Sequence, residues 1–301
     1  MDRRVVAVVV TYHPGTEVGH LLDALVPQVD GVVVVDNGSS AETVAALEVT
    51  LGPRGTLLAL GENLGVAAAQ NRGIDQARAD GATHVLLFDD DSDPAPDMVA
   101  RLLAALDADA TGRLGAVGPV PVDPRTGEAP LVFTDQGSGP RRIPALPTTP
   151  GTVVEVAFLV ASGCLVDLRV VDEVGAMDKA LFIDHVDLEW GLRARRHGWR
   201  LGVVVGAVLT HSLGETTRRV LWRSRDVHIQ HPLRNYYTVR NTIWLVRTKV
   251  MPPRWRLGYL AWITRYIVYY LLAVPPRRTR VPLMAAGLRD ALRGRLGPLP
   301  Q

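Results

Sequence analysis

Three consecutive aspartates, Asp89, Asp90 and Asp91, follow a short apolar run at residues 84–88. The run predicts a buried β-strand, and open α/β sheets bind their ligands outside the carboxyl ends of the strands. Asp89 and Asp91 can converge on one hard cation, Mg²⁺ or Mn²⁺, which prefers oxygen ligands and would bridge to a diphosphate. The alternative interpretation is a solvated acidic turn ahead of Pro94.

Two further turns carry polar residues next to predicted strands. In the first turn, a carboxylate can accept hydrogen bonds from a nucleobase or a ribose. The second turn opens a helix with glycine and alanine, which lets a ligand approach the positive end of the helix dipole. Each turn is also compatible with ordinary strand-to-helix chemistry. The candidate binding residues of the two turns are Asp36, Asn37, Asn63, Gly65 and Asn71.

An alternation of β-rich apolar runs and helical patterns positions these residues, and it predicts a mostly parallel α/β sheet flanked by helices. Residues 5–10 are continuously apolar, as expected for a strand covered on both faces, and favour a first strand over a signal peptide. Ser39 and Glu42 predict a capping box. The predicted strands lie at residues 5–10, 32–35, 57–60 and 84–88, and the predicted helices at residues 66–79 and 98–106.

The middle of the chain has a different composition. Residues 119–150 are rich in Pro, Gly and Thr without a sustained period, which predicts a long loop or a flap over the site. Regular structure is expected to resume near Val153. A helix is then predicted at residues 188–197 and a strand at residues 201–209.

The last part of the chain is basic and aromatic. Residues 255–274 are almost wholly apolar, apart from Arg256 and Arg265. An arginine near the centre of a membrane span would cost about 2.5–3.5 kcal/mol on insertion scales. An interfacial amphipathic helix or hairpin therefore fits better than a transmembrane helix and predicts peripheral membrane contact. The alternative is a helix that packs on the rest of the protein.

Composition restricts the class of protein further. The net charge of +2 over 301 residues gives no reason to expect a nucleic-acid partner. One cysteine, Cys164, excludes an intrachain disulfide and fits a reducing compartment. Together with the basic tail, these features predict a cytoplasmic protein at the inner face of the plasma membrane.

Taken in order, the motifs of the first half resemble those of the inverting glycosyltransferases of family 2, which have the GT-A fold. The resemblance rests on Val9-Val10-Thr11-Tyr12-His13-Pro14, Val34-Val35-Asp36-Asn37-Gly38-Ser39, Glu62-Asn63-Leu64-Gly65 through Asn71-Arg72-Gly73, and the aspartate cluster. It implies that Asp36 contacts the nucleobase or ribose and that Asp91, with Asp89, is the metal-binding DXD element. The nucleotide-sugar site would comprise Thr11, Tyr12, Asp36, Asn37, Asn63, Gly65, Asn71, Asp89 and Asp90.

A second block, Ser162 to Val166 followed by residues 181–193, looks particularly like rhamnosyltransferases and less closely like galactofuranosyltransferases. The family places its base carboxylate just before a helix that carries a downstream arginine. With Arg193 as that arginine, Asp187 best matches the base, and Asp184 is the competing candidate.

Three further residues qualify this second resemblance. By analogy with the family, His211 would complete the metal site. Glu189 lies four residues before Arg193, so it is alternatively a salt-bridge partner within the helix. The chain departs from the family at Val186, where many members carry an acid.

The resemblance implies a catalytic domain at residues 1–215, with a nucleotide-sugar half at about 1–118 and an acceptor half at about 150–215, and a helical C-terminal region at residues 216–301. The implied reaction is a metal-assisted single displacement that uses Mg²⁺ or Mn²⁺. L-rhamnose would pass from dTDP-β-L-rhamnose to a hydroxyl of a glycan or lipid-linked acceptor in cell-wall or polysaccharide synthesis. The alternative is a galactofuranosyltransferase or another family 2 enzyme with a UDP-sugar donor.

Other classes fit the sequence less well. A Rossmann dehydrogenase needs Gly-x-Gly-x-x-Gly after the first strand, where this chain has Thr11-Tyr12-His13-Pro14. A nucleotidyltransferase would carry a glycine-rich basic loop at the same place. A catalytically inactive membrane scaffold remains the alternative of a different class.

Overall fold

The computed structural model describes residues 3–122, 132–211, 216–219 and 226–299. The strands are β1 (Val5–Thr11), β2 (Gly31–Asp36), β3 (Thr56–Ala59), β4 (His84–Asp89), β5 (Ser92–Pro94), β6 (Leu114–Val122), β7 (Phe133–Asp135), β8 (Pro140–Arg142), β9 (Val153–Glu155), β10 (Cys164–Asp167), β11 (Arg200–His211), β12 (Thr216–Arg219) and β13 (Asp226–Ile229). The helices are α1 (Glu17–Leu25), α2 (Ala41–Leu51), α3 (Val66–Ala79), α4 (Met98–Asp107), α5 (Leu168–Val174), α6 (Val186–Arg196), α7 (Pro232–Arg247), α8 (Pro253–Ala273) and α9 (Arg277–Arg293).

The central sheet has the strand order β3-β2-β1-β4-β10-β6-β11-β5, with β9 beside β11. The first four strands of this order are parallel, as the sequence predicts. Strand β10 lies antiparallel between β4 and β6, so the second half of the sheet is mixed. Because parallel strands end at the same edge, the turns after β1, β2 and β4 open on one side of the molecule.

The side chains of β1 alternate between the two faces of the sheet. Val6 and Val8 join an apolar cluster with α3 and α6, whereas Ala7 and Val9 join a second cluster with α1 and α4. All four are buried. Burial on both faces explains why the strand is continuously apolar and confirms the prediction of a buried first strand.

The predicted Ser39–Glu42 capping box is wrong by one residue. The N-cap of α2 is Ser40, whose Oγ accepts the backbone N–H of Thr43 at 3.3 Å. The Ser39 hydroxyl instead donates to the Asp36 carboxylate. The turn after β2 curls back onto that carboxylate, which removes Ser39 from the helix start.

Residues 119–150 contain more regular structure than the predicted loop. Strands β7 and β8 pair as an antiparallel hairpin, while residues 123–131 lie outside the described part of the chain. Asp135 in β7 accepts hydrogen bonds from Arg254 at 2.7 Å and from the indole of Trp255 at 3.1 Å. Both donors belong to α8, so the hairpin is fixed to the C-terminal helices.

Helix α8 contains nearly all of the apolar stretch predicted at residues 255–274. Trp255 and Tyr270 are buried, which confirms the alternative that this helix packs on the protein along one face. On the opposite face Leu257 is 78% exposed and Leu272 is 70% exposed. Within the described ranges, no helix has both the length and the apolarity that crossing a bilayer requires.

Candidate active site

A cleft of about 1260 Å³ opens at the carboxyl ends of β1 and β4 and reaches α6 and α8 on its other side. Sites for a single small ligand are roughly 300–1,000 Å³, so this cleft has room for two substrates. The predicted site residues that line it are Thr11, Tyr12, Asn37, Asn63, Gly65, Asp89, Asp90, Asp91, Asp184 and Asp187.

Asp36 ends β2 but does not line the cleft, because its side chain is fully buried. Its carboxylate accepts the backbone N–H groups of Gly38 at 3.2 Å and Ser39 at 2.9 Å. It also accepts the hydroxyl of Thr11 at 3.3 Å. These bonds give Asp36 a role in shaping the turn after β2, and its contact with a nucleobase or ribose stays a prediction.

Asn37 and Asn63 tie two turns of the cleft together. The Asn37 amide donates to Asn63 Oδ1 at 3.1 Å and accepts the Leu64 N–H at 2.9 Å. Gly65, the N-cap of α3, has a φ of 88°, and a Cβ there would lie 2.6 Å from the carbonyl oxygen of Phe182. Only glycine fits this approach, and it brings the positive end of the α3 dipole to the cleft.

Two other predicted residues are placed differently. Asn71 does not line the cleft; its amide donates to the Met177 carbonyl and accepts the Met177 N–H, both at 2.9 Å. Its contact with a nucleotide sugar stays a prediction. The backbone of His211 pairs with that of Ser92 at the end of β11, and the His211 side chain lies outside the described part.

Three aspartates at the end of β4, Asp89, Asp90 and Asp91, crowd negative charge into the cleft. Burial, together with the charges of Asp91 and Asp89, raises the pKa of the Asp90 carboxyl to about 6, against the lowering effect of a hydrogen bond from the Tyr12 N–H at 3.3 Å. Such crowding fits a cation. Within the described residues no three His, Cys, Asp or Glu side chains form a ready metal site.

Asp187 is the second residue of α6 and lies between the cleft and a small, largely apolar cavity. Its Oδ1 accepts the N–H of Leu188 at 2.8 Å. Burial, together with the charges of Asp184 and Asp89, raises the pKa of its carboxyl to about 6. Behind it is a cavity of about 20 Å³, roughly the space of one water. The apolar residues around this cavity include Leu87, Leu159, Val166, Trp190 and Leu201.

Asp184, the alternative base, is engaged by α7. Its carboxylate forms an ion pair with Arg234, whose Nε lies 3.2 Å from Oδ1. It also accepts the hydroxyl of Thr238 at 3.2 Å. The Asp184 side chain is 8% exposed, so it is a buried partner of an arginine rather than a bare carboxylate.

The backbone that leads to Asp187 is held in an uncommon conformation. Its residues with left-handed φ angles are Phe182 at 66°, Asp184 at 63° and His185 at 65°. Each such non-glycine residue costs on the order of 1–3 kcal/mol and persists only where its surroundings impose it. Here the Asn241 amide of α7 donates to the carbonyls of Leu181 at 3.0 Å, Ile183 at 2.7 Å and Asp184 at 2.8 Å.

A buried arginine links the same segment to residues near the end of α9. Arg240 is fully buried and donates to the carbonyl of Leu181 at 2.8 Å and to that of Gly297. The Gly297 N–H in turn donates to the Ala180 carbonyl at 2.7 Å. The domain boundary near residue 215 stays a prediction, but these contacts cross it directly beside the site.

Glu189 is the salt-bridge partner that the helical spacing indicates. Its carboxylate lies 2.6 Å from Nε and 2.9 Å from Nη2 of Arg193. Arg193 also donates to the carbonyls of Val174 and Ala176, both at 2.7 Å. The ion pair therefore holds α6 against the end of α5. Glu189 does not line the cleft, whereas Asp187 does.

Sequence reasoning did not place several cleft residues. Tyr259 and Trp262 of α8 line it, although their apolar helix suggested only membrane contact. Phe133 and Phe158 also line it, and their rings stack 5.6 Å apart. The helical spacing of the aromatic residues within 255–274 could have indicated that they share one face of a helix. The sequence of that helix does not show which part of the protein the face covers.

Similarity to known proteins agrees with this geometry. Residues 6–149 match the profile described as "Glycosyl transferase family 2". The chain is 30% identical to the dTDP-rhamnosyl transferase RfbF of Shigella flexneri, over 84% of this chain and 83% of that protein. It is 29% identical to the galactofuranosyltransferase GlfT1 of Mycolicibacterium smegmatis, over 87% of this chain and 90% of the other.

The fold resembles that of solved glycosyltransferases at low identity. The structure of GalNAc-T7 with UDP, GalNAc and Mn²⁺ superposes with a TM-score of 0.58 and 13% identity, over 91% of this chain and 58% of that one. S. aureus TarS 1–349 with UDP-GlcNAc gives 0.57 and 16% identity, over 97% and 81%. These likenesses confirm the predicted GT-A fold with C-terminal helices.

Proposed function

We propose that this chain transfers L-rhamnose from dTDP-β-L-rhamnose with inversion at the anomeric carbon. The chain belongs to glycosyl transferase family 2 and is a nucleotide-sugar-dependent hexosyltransferase. One observation carries this proposal: a single cleft holds the aspartates that follow β4 and, on α6, the carboxylate of Asp187. The similarity to a dTDP-rhamnosyl transferase favours rhamnose as the sugar.

Asp187 is the proposed general base. A pKa of about 6 leaves its carboxylate ionised at neutral pH yet basic enough to take a proton from an acceptor hydroxyl. As the proton moves to Asp187, the acceptor oxygen bonds to the anomeric carbon and the bond from that carbon to the diphosphate breaks. Asp184 is a weaker candidate, because Arg234 and Thr238 already occupy its oxygens.

The donor side of the cleft would hold the nucleotide diphosphate. The N-terminus of α3 at Gly65 offers a favourable dipole for phosphate. Asp89 and Asp91 would hold Mg²⁺ or Mn²⁺, with His211 as a further ligand, and the cation would neutralise charge on the leaving diphosphate. Thr11, Tyr12, Asn37, Asn63 and Asp90 would contribute the rest of the donor contacts. Asp36 and Asn71 would join them only if their side chains left their present bonds to the turn after β2 and to Met177.

A galactofuranosyltransferase is the second candidate. The similarity to GlfT1 of Mycolicibacterium smegmatis covers 87% of this chain, slightly more than the similarity to RfbF. This candidate keeps the proposed base and cation site and replaces the donor by UDP-galactofuranose.

We place the acceptor in cell-wall or polysaccharide synthesis, as a glycan or a lipid-linked intermediate at the cytoplasmic face of the plasma membrane. Exposed apolar residues of α8 and α9 support peripheral membrane contact, among them Leu257, Leu272 and the 58% exposed Leu292. Arginines at the start of α9, Arg277 and Arg278, would face anionic headgroups.

Donor hydrolysis by the purified chain tests the proposal. We expect release of nucleotide diphosphate from dTDP-rhamnose with Mg²⁺ or Mn²⁺, its suppression by EDTA, and a loss of at least 100-fold in Asp91→Ala, on the order of other electrostatic catalytic groups. The control is Asp93→Ala, which removes an exposed aspartate outside the cleft and should keep the rate.

The other outcomes separate the alternatives. Hydrolysis of UDP-galactofuranose in place of dTDP-rhamnose would keep the mechanism and change the sugar. Failure to hydrolyse any dTDP-, UDP- or GDP-sugar, together with no metal-dependent nucleotide binding by calorimetry, would favour an inactive scaffold.

A further inference from the structure

Helix α8 presents a row of aromatic rings, of which two members line the cleft. Neighbouring centroids are 6.2 Å apart between Tyr259 and Trp262 and 5.5 Å apart between Trp262 and Tyr266. Tyr259 and Trp262 line the cleft, and Tyr266 does not. Tyr266 therefore lies outside the cleft, and Tyr259 and Trp262 are the rings of the row that a ligand in the cleft can reach.

These two rings lie beside the proposed base. The ring centroid of His185 is 6.4 Å from that of Tyr259 and 6.1 Å from that of Trp262, and His185 precedes Asp187 by two residues. Burial raises the pKa of the Tyr259 phenol, and the charge of Asp187 raises it further. Tyr259 and Asp187 both line the cleft.

Neither ring is fully occupied by the protein itself. The Trp262 side chain is 39% exposed inside a concave site. Tyr259 is half-buried and lines the cleft. A tyrosine combines an apolar ring with a polar hydroxyl, so Tyr259 can offer both to a ligand in the cleft.

The chemistry of the surrounding wall identifies the class of ligand. An aromatic face packs against the C–H face of a sugar ring, while the ring hydroxyls need polar partners close by. Asp184, Asp187, Arg234 and Arg265 share the cleft with the two rings. A hydrocarbon chain would be poorly solvated among such charges, whereas a saccharide suits a wall that mixes rings and charges.

On the basis of the proposed function, we propose that Trp262 and Tyr259 form the subsite for an acceptor saccharide. The ring of the acceptor sugar lies on the Trp262 indole, and the Tyr259 hydroxyl bonds to one of its hydroxyls. A neighbouring hydroxyl is then presented to Asp187. The cleft volume of about 1260 Å³ accommodates this sugar beside the nucleotide donor.

Saturation-transfer NMR on the full chain tests the subsite, with dTDP and Mg²⁺ present. The probes are methyl α-L-rhamnopyranoside, methyl β-D-galactofuranoside and methyl N-acetyl-β-D-glucosaminide. We expect at least one probe to bind the wild type, with affinity lowered roughly tenfold in Trp262→Ala, on the order of a lost aromatic stack, and lowered less in Tyr259→Phe. The control Leu257→Ala truncates an exposed side chain of the same helix outside the cleft and should bind the probe normally.

Three results would overturn the subsite. They are no binding of any probe to the wild type, unchanged binding in Trp262→Ala, and equal loss in Leu257→Ala. Retained probe binding with loss of binding to phosphatidylglycerol vesicles in Trp262→Ala would instead assign the indole to a membrane surface. Calorimetry with dTDP measures the donor side separately, so a wild type that fails to bind dTDP counts against the proposed function alone.

Discussion

Asp187 and Glu189 lie two residues apart on α6 in contrasting surroundings. Glu189 is 5% exposed and paired with Arg193. Asp187 accepts a backbone N–H and borders a largely apolar cavity. Burial raises the pKa of both carboxyls, but the arginine compensates only the charge of Glu189. Glu189 therefore has a neutralising partner, whereas the Asp187 carboxylate has none of that kind and is the one proposed as the base.

Asp187→Asn is expected to lower the rate of sugar transfer about 10³-fold. The same change should stabilise the folded protein. The folded pKa of about 6 exceeds the ordinary value of 3.8, so the stability contributed by the protonated carboxyl is complete below pH 4 and is lost as the pH rises through 6. Asparagine does not titrate. Its advantage in melting temperature should reach several degrees at pH 7.5 and disappear near pH 4, as measured by circular dichroism.

Glu189→Gln is the matched control, because it breaks a buried ion pair on the same helix. Loss of one partner of such a pair costs about 3–5 kcal/mol, so this variant should melt at a lower temperature at pH 7.5. If Asp187→Asn also melted lower at pH 7.5, burial would not be the cause of the raised pKa.

Helix α7 acts as a template for the segment before α6. Arg234, Thr238, Arg240, Asn241 and Thr242 all bond to residues 181–185. Through these bonds α7 imposes left-handed backbone at non-glycine positions and so sets where Asp187 points. The template and the segment are distant in sequence, and only the folded chain brings them together.

Asn241→Ala should disturb Asp187 without touching it. The carbonyls of Leu181, Ile183 and Asp184 lose their shared donor, so the segment relaxes and Asp187 becomes more hydrated. We expect kcat to fall 10- to 100-fold, on the order of a supporting residue of an active site, with a smaller change in the donor KM. The acid limb of the pH–rate profile should move below its wild-type position near pH 6.

The control for Asn241→Ala is Ile243→Ala, which truncates another α7 side chain in a cluster with α8. Both variants should lower the melting temperature. A shift of the acid limb in both, or in neither, would mean that Asn241 contributes to stability alone.

The sequence predicts the elements well where their signal is local. Valine-rich runs buried on both faces give β1, β2 and β4, and the helix predicted at residues 66–79 matches α3. The three aspartates were singled out because they adjoin the apolar run of β4, whereas the candidate base came from the resemblance of residues 181–193 to family 2 enzymes and stays a prediction. The β7–β8 hairpin was missed because its strands are three residues long and flanked by Pro and Gly. The template role of α7 was missed because it depends on contacts that leave no periodic pattern.

At the scale of the whole molecule, the C-terminal helices have two surfaces with different surroundings. One lines the cleft through Tyr259 and Trp262, and the other exposes Leu257 and Leu272. The arrangement would let a membrane-bound acceptor meet the cleft from the side of α8.

Leu257→Glu combined with Leu272→Glu should weaken membrane contact. Burying a leucine side chain contributes about 1.5–3 kcal/mol, so binding to vesicles with phosphatidylglycerol should fall at least tenfold in a sedimentation assay. Donor hydrolysis in solution should stay at the wild-type rate, because neither residue lines the cleft. Equal vesicle binding by the double variant and the wild type would place membrane contact elsewhere or exclude it.

The bonds that join Gly297 to Ala180 and Arg240 have a consequence for biosynthesis. The strands that carry the proposed donor turns leave the ribosome first, whereas the segment next to Asp187 gains these supports only after residues near 297 have emerged. If Asp187 is the base, a nascent chain would complete the donor side of the cleft before the acceptor side.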